Sequence, residues 1–510
     1  MTDGSETGCA YTFDADEWEE RTGRQSPLAS DRLDGNGNWH CNREPHGNTD
    51  RCLFHLPPEK KDPEAVRSAF LTSIEERGAR AKQFVGARFG PLDLDREIVA
   101  CADNHEIDLR HATFEGATSW RYAIVRQPVA FDGATFTAGF DCTEATFEQS
   151  VSFDAATFAA PSAFFETTFE GSCTAYGTAF GRGDFHGARF DGLVDFSEST
   201  FEDAQFRETY FGGVTRFKLA SFEGASFTGA RFADRVYFDE ATLPTRFNVK
   251  KADVEDLLSF ERVQLADGHC WVDMTATTVA AGRLYLPETG RLVYDLADAT
   301  VGEVSLADGV PRPSLFDHFR FQNTTFEGFD FGSYRSVLHA AEWKIHEIHR
   351  DERLVKQPGK PAPNELETTY LKAKNGANAI GDTKAAAEFF RLEMLYRRAQ
   401  YLPAEPGRWV ANALLDLTAG YGERPSRVVA VSVGTVFAFG GVFALLRSEP
   451  LYDTPVGYLV LSLQSFITLV LGGAEDVGGP WIRLLAQVEG FIGAFLIALF
   501  VFTLTRSIHR

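Results

Sequence analysis

Between residues 111 and 247 a phenylalanine recurs every five or six positions, most regularly at Phe180, Phe185, Phe190, Phe196, Phe201, Phe206, Phe211, Phe217, Phe222, Phe227, Phe232 and Phe238. A period of five fits neither the 3.6 of an α-helix nor the 2 of an ordinary strand. A fixed short period instead signals a solenoid, in which each repeat buries its apolar face only by stacking on its neighbours. Two positions before the ring there is often a small residue, as in Ala112/Phe114, Ala134/Phe136, Ala145/Phe147, Ala156/Phe158, Ala188/Phe190, Ala220/Phe222, Ala225/Phe227 and Ala230/Phe232. Large and small side chains on the same side of an extended backbone suit a narrow interior packed in layers.

On these residues the chain resembles the pentapeptide-repeat family, whose pattern is A-x-F/L-x-x. The resemblance implies a right-handed, four-sided β-helix with about four repeats per coil. At a coil spacing of ~4.8 Å, the 137 residues of the regular run would form a rod of roughly 30–35 Å. After Pro244 the period blurs, but residues 294–306 and 319–331 read as further irregular coils. The solenoid is therefore expected over residues 111–332, after a helical linker or cap at 61–110. Acidic members of the family that mimic DNA and bind a topoisomerase supply one precedent for partner binding.

Charge narrows the partners. The chain carries 72 acidic and 50 basic residues, a formal net charge of −22, and 12 of the basic residues are Lys. No nucleic-acid partner is expected, because such binding needs a basic footprint. An acidic, Lys-poor surface predicts a protein that stays hydrated in concentrated salt, as in a halophilic archaeon.

The first 60 residues hold Cys9, Cys41, Cys52 and His55, spaced C-x31-C-x10-C-x2-H, with His40 and His46 as substitutes. Two residues between Cys52 and His55 let one tight turn present both ligands, as structural zinc sites require. The surrounding GNGNW and PHGNTD are rich in turn formers, so a structural zinc would help this segment fold. Seven scattered cysteines do not make a disulfide scaffold, and the acidic N-terminus predicts no signal peptide.

Residues 333–407 read as a helical connector. A helix is predicted from Tyr334 to Leu354, then two antiparallel helices broken at Gly381-Asp382. The block from Tyr370-Leu371-Lys372 through Phe389-Phe390 to Arg397-Arg398 resembles the connector of pentapeptide proteins fused to channels. Arg397, Arg398 and Arg408 form a basic end suited to anionic headgroups, or else a solvated helix face. His346 and His349, at i and i+3, are read as a solvated helix face rather than a metal pair.

Residues 408–510 contain two long uncharged runs, 428–446 and 490–505, each near the ~20 residues that cross a bilayer. A third run, 454–474, lies between them. Arg424 and Arg427 precede the first run and Arg506 and Arg510 follow the last, so the positive-inside rule puts both termini in the cytoplasm and requires an even number of spans. Residues 454–476 are then a re-entrant loop. This layout resembles the two-transmembrane, pore-loop, potassium-channel-like proteins, with Ser462, Ser465 and Thr468 echoing the S-x-x-T-x-x-T lead-in. The pore and filter residues would be Thr468, Leu471, Gly472, Gly473, Glu475 and Asp476. Where the family alternates its glycines, Gly472 and Gly473 are adjacent, so potassium selectivity does not follow. Gly420-Tyr421-Gly422 spells a filter signature but precedes the first span and is read as a turn.

Gly490 and Gly493 are expected to serve close helix packing, or else a gating hinge, and Glu489 to snorkel near the outer end. The expectation is a multi-pass cell-membrane protein, a homotetramer by resemblance. It would conduct monovalent cations across the lipid bilayer and carry a cytoplasmic solenoid for an unknown partner. The alternatives are a membrane-anchored scaffold with a non-conducting anchor and a topoisomerase-binding DNA mimic. No phosphate loop, nucleophile elbow or carboxylate pair suggests an enzyme.

Overall fold

The computed structural model describes residues 8–348, 359–401, 405–446, 454–471 and 480–508. The chain divides into two compact units, 1–359 and 360–510.

The first unit is a β-solenoid of about 11 turns. Its short strands form two parallel sheets of 18 strands each. One column of paired residues runs Val99, Val125, Phe147, Phe169, Phe190, Phe211, Phe232, Val254, Val279, Val301 and Phe326, one residue per coil. Eleven coils at ~4.8 Å make a stack of about 50 Å. Four such interior columns give the coil its four sides. Stacked rings define them: Phe180–Phe201 at 5.1 Å, Phe185–Phe206 at 4.7 Å, Phe190–Phe211 at 5.3 Å and Phe196–Phe217 at 5.3 Å. Parallel, in-register pairing puts identical side chains above one another, and offset stacking is how aromatic rings accept that.

The small residue before the ring has a steric origin. Seven of the eight alanines named above are buried, Ala225 being half-exposed. Where a hydroxyl replaces the methyl, it is buried too and donates to a carbonyl of the preceding coil. Thr167 bonds Cys142 at 2.7 Å, Thr178 bonds Phe153 at 2.6 Å, and Thr209 bonds Phe185 at 2.7 Å. The Phe185 carbonyl also accepts from Ala188 N–H. Thr209→Val keeps the shape and leaves that carbonyl one partner, so a modest loss of about 0.5–1.5 kcal/mol is expected. A lowered denaturant midpoint, read by tryptophan fluorescence, would register it.

The ends of the solenoid differ from the expected bounds. Strand pairing starts at Arg88–Phe89 rather than near residue 111: Phe84, Phe89, Leu94 and Val99, all buried, already keep the five-residue spacing, with aliphatic side chains replacing the ring at Leu94 and Val99. Helix α1 (Ala15–Thr22) lies within the N-terminal segment, and α2 (Pro63–Glu75) covers the first coil, with Phe70 4.7 Å from Phe84. At the other end, among the described residues of the helix predicted from Tyr334, α3 (Arg335–Ala340) is the α-helical part. Glu342 and Trp343 take positive φ, breaking the helix, and Phe321 N–H bonds the Ile345 carbonyl at 2.9 Å. This segment therefore finishes the last coil. His346 is buried rather than solvated, and His349 lies outside the described residues.

The second unit is helical. α4 (Pro363–Ala379) and α5 (Thr383–Ala399) form an antiparallel hairpin at Gly381 (φ +78°), with Asp382 capping α5 through Ala385 N–H. α6 (Pro406–Ala419), α7 (Pro425–Leu446), α8 (Pro455–Leu471) and α9 (Pro480–Ile508) follow. α7, α8 and α9 pack pairwise on one another. α7 and α9 are long and apolar enough to cross a membrane. α9 extends N-terminally beyond the uncharged run 490–505, with Pro480 in its first described turn.

Candidate metal centre and membrane module

Two places gather chemistry. In the first, a two-stranded antiparallel ladder pairs Thr12–Asp14 with Asn38–His40. Beyond its ends, Cys41 N–H bonds the Tyr11 carbonyl and Cys9 N–H bonds the Arg43 carbonyl. The ladder thus closes the 31-residue gap between Cys9 and Cys41. Cys52 begins a single 3-10 turn, Leu53–His55, which brings Cys52 and His55 to the same side.

The four ligand atoms lie within 4.8 Å of one another, and all four residues are buried. Sγ of Cys41 is 3.8 Å from Sγ of Cys52; Nδ1 of His55 is 3.1 Å from Sγ of Cys52 and 3.5 Å from Sγ of Cys9. A tetrahedral zinc with ordinary bond lengths would set sulfur–sulfur edges near ~3.8 Å and sulfur–nitrogen edges near ~3.6 Å. The donor set fits. Nε2–H of His55 donates to the Val85 carbonyl at 2.9 Å, leaving the Nδ1 lone pair toward the sulfurs, and the Tyr11 ring stacks on the imidazole at 3.9 Å. The Cys41–Cys52 hydrogen bond lowers the Cys52 thiol and, with burial, pushes Cys41 up. Burial pulls His55 down, but its hydrogen bonds to Cys52 and Cys9 outweigh this and raise it to about 9. His40 stays outside the cluster, bonded to Asp34 at 2.8 Å.

The second place is the α7–α8–α9 group. α8 includes Thr468 and is described as far as Leu471; Gly472, Gly473, Glu475 and Asp476 lie outside the described residues. Gly493 lets α9 touch α8: a Cβ there would sit 2.0 Å from the Phe466 carbonyl oxygen. At Gly440 on α7 a Cβ would meet Leu459 at 2.8 Å. Gly490 is buried in α9.

Glu489 does not snorkel. It is fully buried, because Ser462 of α8 supplies a polar partner at that depth. Ser462 Oγ is also 2.8 Å from the Val436 carbonyl of α7, so one hydroxyl joins three helices. The sequence signal for this node was Ser462 itself, read only as part of a filter lead-in.

The basic end is neutralised as well. Arg397 pairs with Glu367 and Glu393, Arg398 with Asp416 at 3.1 Å, and Arg408 with Glu405 at 2.8 Å. Gly420, Tyr421 and Gly422 all have positive φ and make the turn that ends α6, with Tyr421 Oη donating to Asn412 Oδ1 at 2.7 Å.

A stack of four-sided coils with Phe columns and small or hydroxyl residues beside them defines a β-solenoid built from five-residue repeats. The family model described as pentapeptide repeats (9 copies) matches residues 164–209, 175–220 and 196–242, within this regular run. The chain therefore carries pentapeptide repeats, joined to a helical unit with two membrane-crossing candidates. No curated protein matches it.

Proposed function

We propose that this is a membrane-anchored pentapeptide-repeat protein whose C-terminal unit forms a channel-like, cation-conducting pore as a homotetramer, with the solenoid as a cytoplasmic interaction or regulatory domain. The observation that carries this reading is the order span, short helix, span. The described part of α8, Pro455–Leu471, has 17 residues, at the lower limit of a span, and it packs against both α7 and α9. That is the element order of a helix–pore helix–helix module.

Exposure supports the membrane. Among the described residues, the exposed large apolar side chains outside the stretch from Trp409 to Leu504 are Ile98, Tyr122, Tyr176, Leu219, Val310 and Ile380. Only 17 % and 22 % of the most apolar windows of α7 and α9 are buried, unlike core helices of a soluble domain. On α6, just before the first span, Val410, Leu414 and Leu417 are exposed on one face, as an interfacial helix needs.

The adjacent Gly472-Gly473 pair favours a second reading, in which the module anchors a scaffold without conducting. Currents from purified full-length protein in planar bilayers, under a potassium/sodium gradient, separate the two. Discrete openings that disappear in Thr468→Lys are expected. Reproducible silence from protein shown to be folded and inserted would leave the anchored scaffold.

A further inference from the structure

The N-terminal cluster does more than fit a metal; it sits where the solenoid most needs a cover. The first coil of a parallel solenoid presents an unpaired strand edge and an open apolar interior, which soluble proteins must cap. Every element around the cluster reaches that end. His55 Nε2–H bonds the carbonyl of Val85, just before the first strand, and Phe54 packs 4.9 Å from Phe84 and 6.2 Å from Phe89. Lys61 Nζ donates to the Leu53 and Phe54 carbonyls, at 3.1 and 3.0 Å, and also to that of Arg88. Arg43 reaches the Ala81 carbonyl at 2.5 Å and lies over the Phe54 and Phe84 rings at 4.6 Å.

The covering segment itself is poorly equipped to hold its shape. It has a three-residue ladder, one short helix and one 3-10 turn beside the cluster, and few of its own residues are buried. The four ligands come from its three separate parts, and one of them, His55, is itself hydrogen-bonded to the start of the coil at Val85. We infer that Cys9, Cys41, Cys52 and His55 bind one structural zinc ion, and that this ion locks residues 8–62 as the cap of the solenoid's N-terminal end. Three thiolates and one imidazole select zinc over harder divalent ions, and with no open position the site is structural rather than catalytic. The inference stands apart from conduction, since it concerns only the first unit.

The test uses full-length protein purified under reducing conditions with zinc supplied. Elemental analysis should find one zinc per chain, retained on dialysis against EDTA. Cobalt exchanged for zinc should give thiolate charge-transfer absorption and the strong visible bands of a tetrahedral site with three sulfur ligands and one nitrogen. Cys52→Ser should lose the ion, whereas Cys101→Ser, outside the cluster, should keep it. Stripping the metal should open residues 8–62 to limited proteolysis while the coils beyond stay protected. Metal-free protein, or an octahedral cobalt spectrum, overturns the site even if Cys52→Ser fails to fold. An unchanged proteolysis pattern after stripping overturns the capping role.

Discussion

Phe206→Ala should destabilise the solenoid by about 3–5 kcal/mol, the range for emptying a fully buried aromatic position. Phe206 is wholly buried and stacks between Phe185 at 4.7 Å and Phe227 at 4.8 Å, with Phe196, Phe201, Phe211 and Phe217 around it. The neighbouring columns cannot slide inward to fill the gap, because each ring is pinned by the coil's backbone ladder to the rings above and below. Coils contact only their neighbours, so the loss is concentrated at one interface and the array should become prone to unfold from that point. Phe206→Leu should cost far less, since Leu243 already occupies the position after Phe222 in its own column and is fully buried. Phe165→Ala, at a half-exposed ring outside the columns, should cost under about 1 kcal/mol. Denaturant midpoints followed by tryptophan fluorescence would rank the three. Equal shifts for Phe206→Ala and Phe165→Ala would show that the columns are not the core.

The same comparison explains what could be read in advance. A five-residue period is a statement about the interior, so Phe180 to Phe238 disclosed the architecture without any structure. Tracked by Phe alone, it failed where the interior is filled otherwise: Phe84, Phe89, Leu94 and Val99 keep the five-residue spacing in the first coils, but aliphatic side chains replace the ring at Leu94 and Val99. It failed again at Trp343 and Ile345, where an amphipathic pattern that fits a helix instead completes the last coil through a left-handed pair at Glu342 and Trp343. The 31-residue gap between Cys9 and Cys41 is closed by a strand pairing, not a short loop. Local sequence cannot display that Tyr11 and Cys41 are neighbours. The ion pairs of Arg397 with Glu367 and of Arg398 with Asp416 were invisible for a related reason: these partners lie on helices brought alongside only by folding. The Arg397–Glu393 and Arg408–Glu405 pairs are the ones close in sequence.

Ser462→Ala should be among the most damaging single changes in the second unit, more so than Glu489→Gln, although glutamate is the charged residue. The reason is a proton count. Ser462 Oγ lies within hydrogen-bond reach of both the Val436 carbonyl and the Glu489 carboxyl, and it has one proton to give. If that proton goes to Val436, the contact with Glu489 is complete only when the carboxyl supplies its own. Glu489→Gln satisfies the same geometry with an amide N–H and should leave the fold nearly unchanged. Ser462→Ala removes both contacts and strands a buried carboxyl whose Oε2 already lacks a partner among the described residues. That should cost about 1–3 kcal/mol or more. Adding Glu489→Leu to Ser462→Ala removes the stranded group and should recover much of the loss, as a double-mutant cycle would show. Thermal unfolding of the full-length wild type, Ser462→Ala, Glu489→Gln, Glu489→Leu and the double variant in detergent, with monodispersity on gel filtration, measures these effects. If Glu489→Gln collapses the protein while Ser462→Ala does not, the carboxyl acts as a charge and the three-helix node is wrongly drawn.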